Sequence, residues 1–292
     1  EFGGERKEVV LVILHGLCGS SKSGYVQSLA SEASRRKGWT VVVVHSRGCG
    51  GVPLTTGYSF TAANTEDPRE AIHNIHRQKP QATLVAVGFS LGAGILTKYL
   101  AEEGSHTPIR AAVACCPSFD FLTETRWFPL YTKAILAPAL RRWFLKNKEA
   151  FVEHGTVSPD RVLQCRDVRD FDAEVVVPLH GYESVDHYYT ESSTKDRVQH
   201  IAIPYLAVNA EDDPICSVAS VPRDSCSLNG NLAFLITPAG GHVGHASGIF
   251  PKTLSWLDSV SIEFLSSALA HVASQEEEEE EEEEDGVDPD EW

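Results

Sequence analysis

Gly88-Phe89-Ser90-Leu91-Gly92 follows the apolar run Thr83–Val87 and opens the segment Leu91–Glu103. The run predicts a buried strand, and the apolar spacing of the segment after it predicts a helix. A strand, a tight turn and a helix around G-x-S-x-G are the setting of a nucleophile elbow. The turn has no room for side chains at its first and last positions, so glycines stand there. The serine is then held out on a strained corner beside the N-terminus of the helix.

A serine hydroxyl is a weak nucleophile at neutral pH. It needs an imidazole to take its proton, and a carboxylate to fix and stabilise that imidazole. Two later residues can supply them. Asp213 follows the apolar run Tyr205–Val208, and His242, in Gly240-Gly241-His242-Val243-Gly244, follows the run Leu232–Ile236. The chain order Ser, Asp, His, each at the end of a predicted strand, is that of the α/β-hydrolase fold. Asp212 is the alternative acid. Asp213 is preferred because Ile215 places an apolar residue two positions after it. The loop His15-Gly16-Leu17-Cys18-Gly19 follows the apolar run Val9–Leu14. In this fold such a loop and the residue after the nucleophile each donate a backbone N–H to an oxyanion, which here means Leu17 and Leu91.

Short apolar runs alternate with helical patterns along the chain. The expected fold class is α/β, a mostly parallel sheet flanked by helices. Strands are predicted at 9–14, 40–45, 83–88, 111–115, 204–209 and 232–236, and helices near 24–36, 66–77, 91–103 and 254–273. Residues 1–117 and 204–274 then form the two parts of the core. The stretch 118–203, with Trp127, Trp143 and Phe144, is far longer than a strand-to-helix connection requires. It is expected to be a helical cap supplying an apolar acyl-binding wall, because clefts in such sheets lie at the carboxyl ends of the strands.

The net charge of −16 is concentrated at one end. Thirteen acids lie between Glu276 and Glu291, so residues 275–292 are expected to be a disordered acidic tail, either solubilising or able to bind a basic partner. The rest is close to neutral. It shows no basic stripe with interleaved aromatics, which argues against nucleic acid as a partner. The seven cysteines, Cys18, Cys49, Cys115, Cys116, Cys165, Cys216 and Cys226, have no regular spacing, which suggests reduced thiols and an intracellular setting. No apolar run approaches the ~20 residues that span a bilayer. Glu1-Phe2-Gly3-Gly4 does not read as a signal peptide, and the chain contains no Met. A fragment or processed chain is therefore expected, and an upstream segment could carry a membrane anchor.

Rival readings are weaker. His15–Ser23 nearly spells a phosphate loop, but Ser21 stands where that loop needs glycine. No H-E-x-x-H occurs, and His242 and His245 share a glycine-rich loop, so no metal and no cofactor are expected; His245 reads as solvent-facing or structural. A non-catalytic binding module on the same fold would need a lost triad position, and none is lost.

With these residues in place, the chain resembles the YheT-like family of α/β-hydrolases. The matching segments include 15–19, 88–92, 209–214 and 240–244, together with Ser46-Arg47-Gly48-Cys49-Gly50-Gly51, Arg169-Asp170-Phe171-Asp172 and Asp186-His187-Tyr188-Tyr189. The family includes bacterial esterases, plant embryogenesis-associated proteins, and animal acylglycerol lipases and phospholipases. The resemblance implies a serine hydrolase of carboxylic esters, lipid-like substrates, and Ser90, Asp213 and His242 as the triad. A short-chain esterase is the nearer alternative. The chain departs from the family pattern at His45, where Asn is usual, and in the first strands of the fold, which should precede Val9 and are missing.

Overall fold

The computed structural model describes residues 7–155, 157–246 and 255–285. Six parallel strands carry the fold: β1 (Val9–Leu14), β2 (Thr40–Val44), β3 (Thr83–Phe89), β4 (Ile109–Cys115), β5 (Tyr205–Ala210) and β6 (Leu232–Thr237). Their order across the sheet is β2-β1-β3-β4-β5-β6. Among the described residues β2 and β6 are the edges, so no strand of the fold is described before β1.

The central strands are apolar at nearly every position because both faces are covered. In β1 the alternation of side chains sends Val10, Val12 and Leu14 to one core and Leu11 and Ile13 to the other. Helices α1 (Gly24–Glu32), α2 (Glu66–Gln78) and α3 (Leu91–Glu103) connect the first strands. Helix α1 gives its Val26 and Leu29 to the second core, while α2 and α3 give Ile72, Leu96 and Tyr99 to the first. The helical turn after α1 stops at Gly38, whose φ of 70° caps the open carbonyls of Ala33 and Ser34.

Between β4 and β5 the chain builds seven helices: α4 (Phe121–Arg126), α5 (Leu130–Lys146), α6 (Lys148–His154), α7 (Pro159–Gln164), α8 (Val168–Glu174), α9 (Val176–His180) and α10 (Val185–Ser192). They have a core of their own, in which Trp143, Phe144, Phe151 and Phe171 pack together. This unit is tied to the rest of the molecule by polar contacts. Tyr188 Oη accepts the Ala62 N–H (2.8 Å), and Asn147 accepts from Leu54 N–H (3.2 Å) and donates to the Gly48 carbonyl (3.2 Å). Within it, Arg169 and Arg126 share the carboxylate of Asp186.

The last helix, α11 (Trp256–Asp285), packs Leu257, Ile262 and Leu265 under the sheet. The helix runs through Asp285, past residue 275, where the acidic tail is expected to begin. Glutamate is a good helix former, and extending an existing helix needs no new nucleus. Residues 286–292 lie outside the described residues. Among the described residues no helix is long and apolar enough to cross a membrane.

Candidate active site

The strand order places the site. From β1 the chain crosses to β2 at one edge, then returns to pair β3 on the other side of β1. The carboxyl ends of β1 and β3 thus flank a switch point, where loops diverge and leave a crevice. Leu14 and Gly88 are partners in the register, so the loop of Leu17 and the elbow of Ser90 start side by side. They touch closely: a Cβ on Gly16 would lie 3.2 Å from the Ser90 Cβ. Glycine at 92 is equally forced, since a Cβ there would stand 2.5 Å from the carbonyl oxygens of Leu14 and His15.

Ser90 adopts φ 53° and ψ −119°, a conformation that L-residues avoid. Its N–H bonds the Cys115 carbonyl at the end of β4 (2.8 Å), which holds the turn. Leu91 follows as the first residue of α3. Across the crevice, the Gly16 N–H donates to the Tyr25 hydroxyl (2.9 Å), and the Gly19 N–H closes a turn on the Gly16 carbonyl (2.9 Å). His15 links its Nδ1 to the Gly16 carbonyl (2.7 Å) and accepts the Ser46 N–H at Nε2 (3.1 Å). His45, the residue that departs from the usual Asn, accepts the Ser21 N–H at Nε2 (3.0 Å).

Ser90, His242 and Asp213 meet in one line of hydrogen bonds. His242 Nε2 lies 2.7 Å from Ser90 Oγ. Its Nδ1 lies 2.9 Å from Asp213 Oδ2 and 3.1 Å from Oδ1. A proton on Nδ1, held toward Asp213, leaves Nε2 to accept from the hydroxyl. The Asp213 side chain is wholly buried. Burial alone would raise its pKa, but the hydrogen bond and charge of His242 and the N–H groups of Cys216 and Ile215 outweigh it. The carboxyl is held below its usual range. Asp212 is turned elsewhere: its Oδ1 accepts the Gly240 and Gly241 N–H groups (2.9 and 2.7 Å) of the histidine loop.

His245 is buried rather than solvent-facing. It stacks on Trp256 with ring centroids 5.6 Å apart, and its Nε2 lies 3.1 Å from Thr237 Oγ1. Cys116 Sγ comes within 4.8 Å of the Asp213 and His242 ligand atoms. That sulfur accepts the Val243 N–H (3.3 Å), and burial and the nearby Asp213 charge push its thiol up to about 12. A thiol held protonated this way is a poor metal ligand. All seven cysteines are free.

A cavity of about 840 Å³, including its open mouth, adjoins Ser90. Leu17, Phe60, Leu91 and Ile215 line its base, and Phe121, Leu136, Leu140, Trp143 and Phe171 of the inserted helices line its wall. Two acids lie on this apolar surface, buried by tertiary packing alone: Asp172 belongs to the segment 169–172 that carries the resemblance, and Glu124 had no sequence signal. Glu124 accepts hydrogen bonds from the Ser118 and Ser220 hydroxyls, and Asp172 accepts from Tyr189 Oη (2.6 Å). Burial pushes Glu124 up to about 8 and Asp172 up to about 7. Tyr25, which holds the Leu17 loop, was equally invisible in the sequence pattern.

A model of the alpha/beta hydrolase fold matches residues 9–248. The chain belongs to the α/β-hydrolase family. Its relatives put it in the YheT-like group within that family. It is 31% identical over 264 residues to the Putative esterase YheT of Escherichia coli, covering 89% of this chain and 77% of that protein. It is 31% identical over 270 residues to Phospholipase ABHD3 of Mus musculus, covering 89% of this chain and 64% of that one. The Monoacylglycerol lipase of Saccharomyces cerevisiae is 31% identical over 245 residues, 80% of this chain and 54% of that one. The chain thus spans under two thirds of the mouse and yeast relatives. Among solved structures, the Pyrococcus furiosus esterase Pf2001 superposes with a TM-score of 0.58 at 18% identity, over 90% of this chain and 82% of that one, a likeness of fold.

Proposed function

We propose that this chain is a serine hydrolase that cleaves carboxylic esters of lipid-like acyl chains. Ser90 is the nucleophile, His242 the base, Asp213 the acid that orients it, and the Leu17 and Leu91 N–H groups the oxyanion donors. The observation that carries this reading is the single imidazole lying 2.7 Å from a strained serine hydroxyl and 2.9 Å from a buried carboxylate.

The steps follow from those positions. Ser90 Oγ attacks the ester carbonyl carbon while its proton passes to His242 Nε2. The carbonyl electron pair moves onto oxygen, which takes hydrogen bonds from Leu17 and Leu91. When the pair returns, the C–O bond to the alcohol breaks and His242 gives that alcohol its proton. Water then attacks the acyl-Ser90 ester with His242 as base again, releasing the acid and restoring the serine.

The substrate class is argued from the cavity. Its wall is aromatic and aliphatic, and apolar burial is worth about 0.8 kcal/mol per methylene. The names of two relatives, a phospholipase and a monoacylglycerol lipase, point the same way. A fluorophosphonate probe should label the chain and fail on Ser90→Ala, which should also lose ester cleavage. Labelling that persists in Ser90→Ala would overturn the assignment of the nucleophile.

A further inference from the structure

Helix α5 has an outer side that the cavity does not use. Its inner side gives Leu136, Leu140 and Trp143 to the wall facing Ser90. On its outer side Leu130, Tyr131 and Ile135 are 85%, 59% and 66% exposed, and Trp127, just before the helix, is 80% exposed. Leu130, Tyr131 and Ile135 recur at helical spacing on one side of α5, and Trp127 stands exposed in the turn that leads into the helix. Isolated exposed apolar residues need no explanation, but four large ones within nine residues are the composition of a docking surface.

The other end of the same helix is cationic. Arg142 and Lys146, with Lys22 from the loop after β1, line a cleft beside Gly48–Pro53 that no acidic side chain lines. Among the described residues none of these three cations is in an ion pair. Helix α5 carries Lys133, Arg141, Arg142 and Lys146 and no acid, in a chain of net charge −16. Among the described residues only Lys133 of these is matched by a carboxylate, that of Asp167 (3.0 Å).

We infer that the outer face of α5 docks on an anionic lipid surface. Trp127, Leu130, Tyr131 and Ile135 enter the boundary between headgroups and acyl chains, and Lys22, Arg142 and Lys146 face the phosphates. The separation of an aromatic–aliphatic end from a cationic end along one helix fits an interface that is itself layered into acyl chains and anionic headgroups. Continuity with the cavity supports the same occupant: Phe128, next to Trp127, lines both the Ser90 cavity and the surface cleft that Trp127 borders. The docked face therefore leads apolar chains toward the cavity. This inference rests on the lipid-ester reading above.

The test is sedimentation with vesicles of pure phosphatidylcholine and with vesicles in which a quarter of the lipid is phosphatidylserine. The Ser90→Ala chain is used beside the natural one, so that binding is read without turnover. Stronger binding to the anionic vesicles is expected, weakening as salt is raised. Arg142→Gln with Lys146→Gln should weaken that binding about 30-fold, from about 1 kcal/mol for each cation near an anionic surface. Leu130→Glu with Ile135→Glu should lower binding to both kinds of vesicle. Neither pair should change hydrolysis of soluble p-nitrophenyl butyrate, which tests the catalytic reading separately. Absence of vesicle binding, or equal binding by the natural chain and both double variants, would overturn the inference. So would a dimer in solution that Leu130→Glu with Ile135→Glu breaks apart.

Discussion

Asp212 and Asp213 are neighbours in sequence with opposite assignments: Asp213 meets the imidazole of His242, and Asp212 holds the backbone of the loop that carries it. One carboxylate sets the ring and the other sets the loop. The difference arises in the turn after β5, where the Asp213 N–H bonds the Ala210 carbonyl (3.2 Å) and sends the two side chains apart.

Asp213→Asn should lower kcat by about 10,000-fold, because an amide holds the wrong histidine tautomer. Asp212→Asn keeps an acceptor for Gly240 and Gly241 and should stay within about ten-fold of the natural chain. Steady-state kinetics on a soluble ester separates the two. A severe loss in Asp212→Asn with a mild one in Asp213→Asn would exchange the roles.

Ser90 stores backbone strain that glycine would not feel. Both Ser90→Ala and Ser90→Gly should be inactive, but Ser90→Gly should be more stable than Ser90→Ala by about 1 kcal/mol. Urea denaturation of the two variants measures the difference. Equal midpoints would show that the turn relaxes when the serine is replaced.

Two buried acids predict how stability depends on pH. Glu124 is raised from 4.5 to about 8 and Asp172 from 3.8 to about 7, in both cases by burial first. Between the unfolded and folded values the folded chain holds protons that the unfolded chain has released. Stability contributed by these groups is therefore present at low pH and lost as pH rises through that window. Glu124→Gln and Asp172→Asn should each flatten the fall in urea midpoint between about pH 5 and about pH 8. A profile unchanged in both variants would show that these carboxyls are ionised in the folded chain.

The cavity wall predicts acyl selectivity. Along p-nitrophenyl esters from acetate to octanoate, kcat/KM should rise by up to about four-fold per methylene until the cavity is full. Leu136→Trp should move the optimum to shorter chains. Highest activity on acetate, with none on longer chains, would leave a short-chain esterase.

The strands were legible because the central ones are buried on both faces and read as almost unbroken apolar runs. The Ser90 turn was legible because close packing against Leu14 and His15 demands glycine at 92. Residue type alone does not separate Asp212 from Asp213; the apolar Ile215 favours Asp213 in the sequence, and the hydrogen bonds of the folded turn give each its partner. The burial of Glu124 and of Asp172, though the latter lies in the segment 169–172, was not legible, because what buries them comes from distant parts of the chain. Composition alone does not show that residues 276–285 continue the helix that Leu257 and Leu265 anchor.

The excursion of seven helices leaves the sheet after Cys115 and returns at Tyr205, on the strand next to the one it left. The strands are parallel and Tyr205 pairs with Ala112, so the two ends stand three residues, roughly 10 Å, apart along the ladder and ~4.8 Å apart across it. A segment joined to two neighbouring strands can lengthen, shorten or be replaced over generations while the ladder between β4 and β5 stays paired. Selection can thus rewrite what the cavity admits without touching the strands that hold Ser90, Asp213 and His242. In this architecture taste and chemistry are inherited separately.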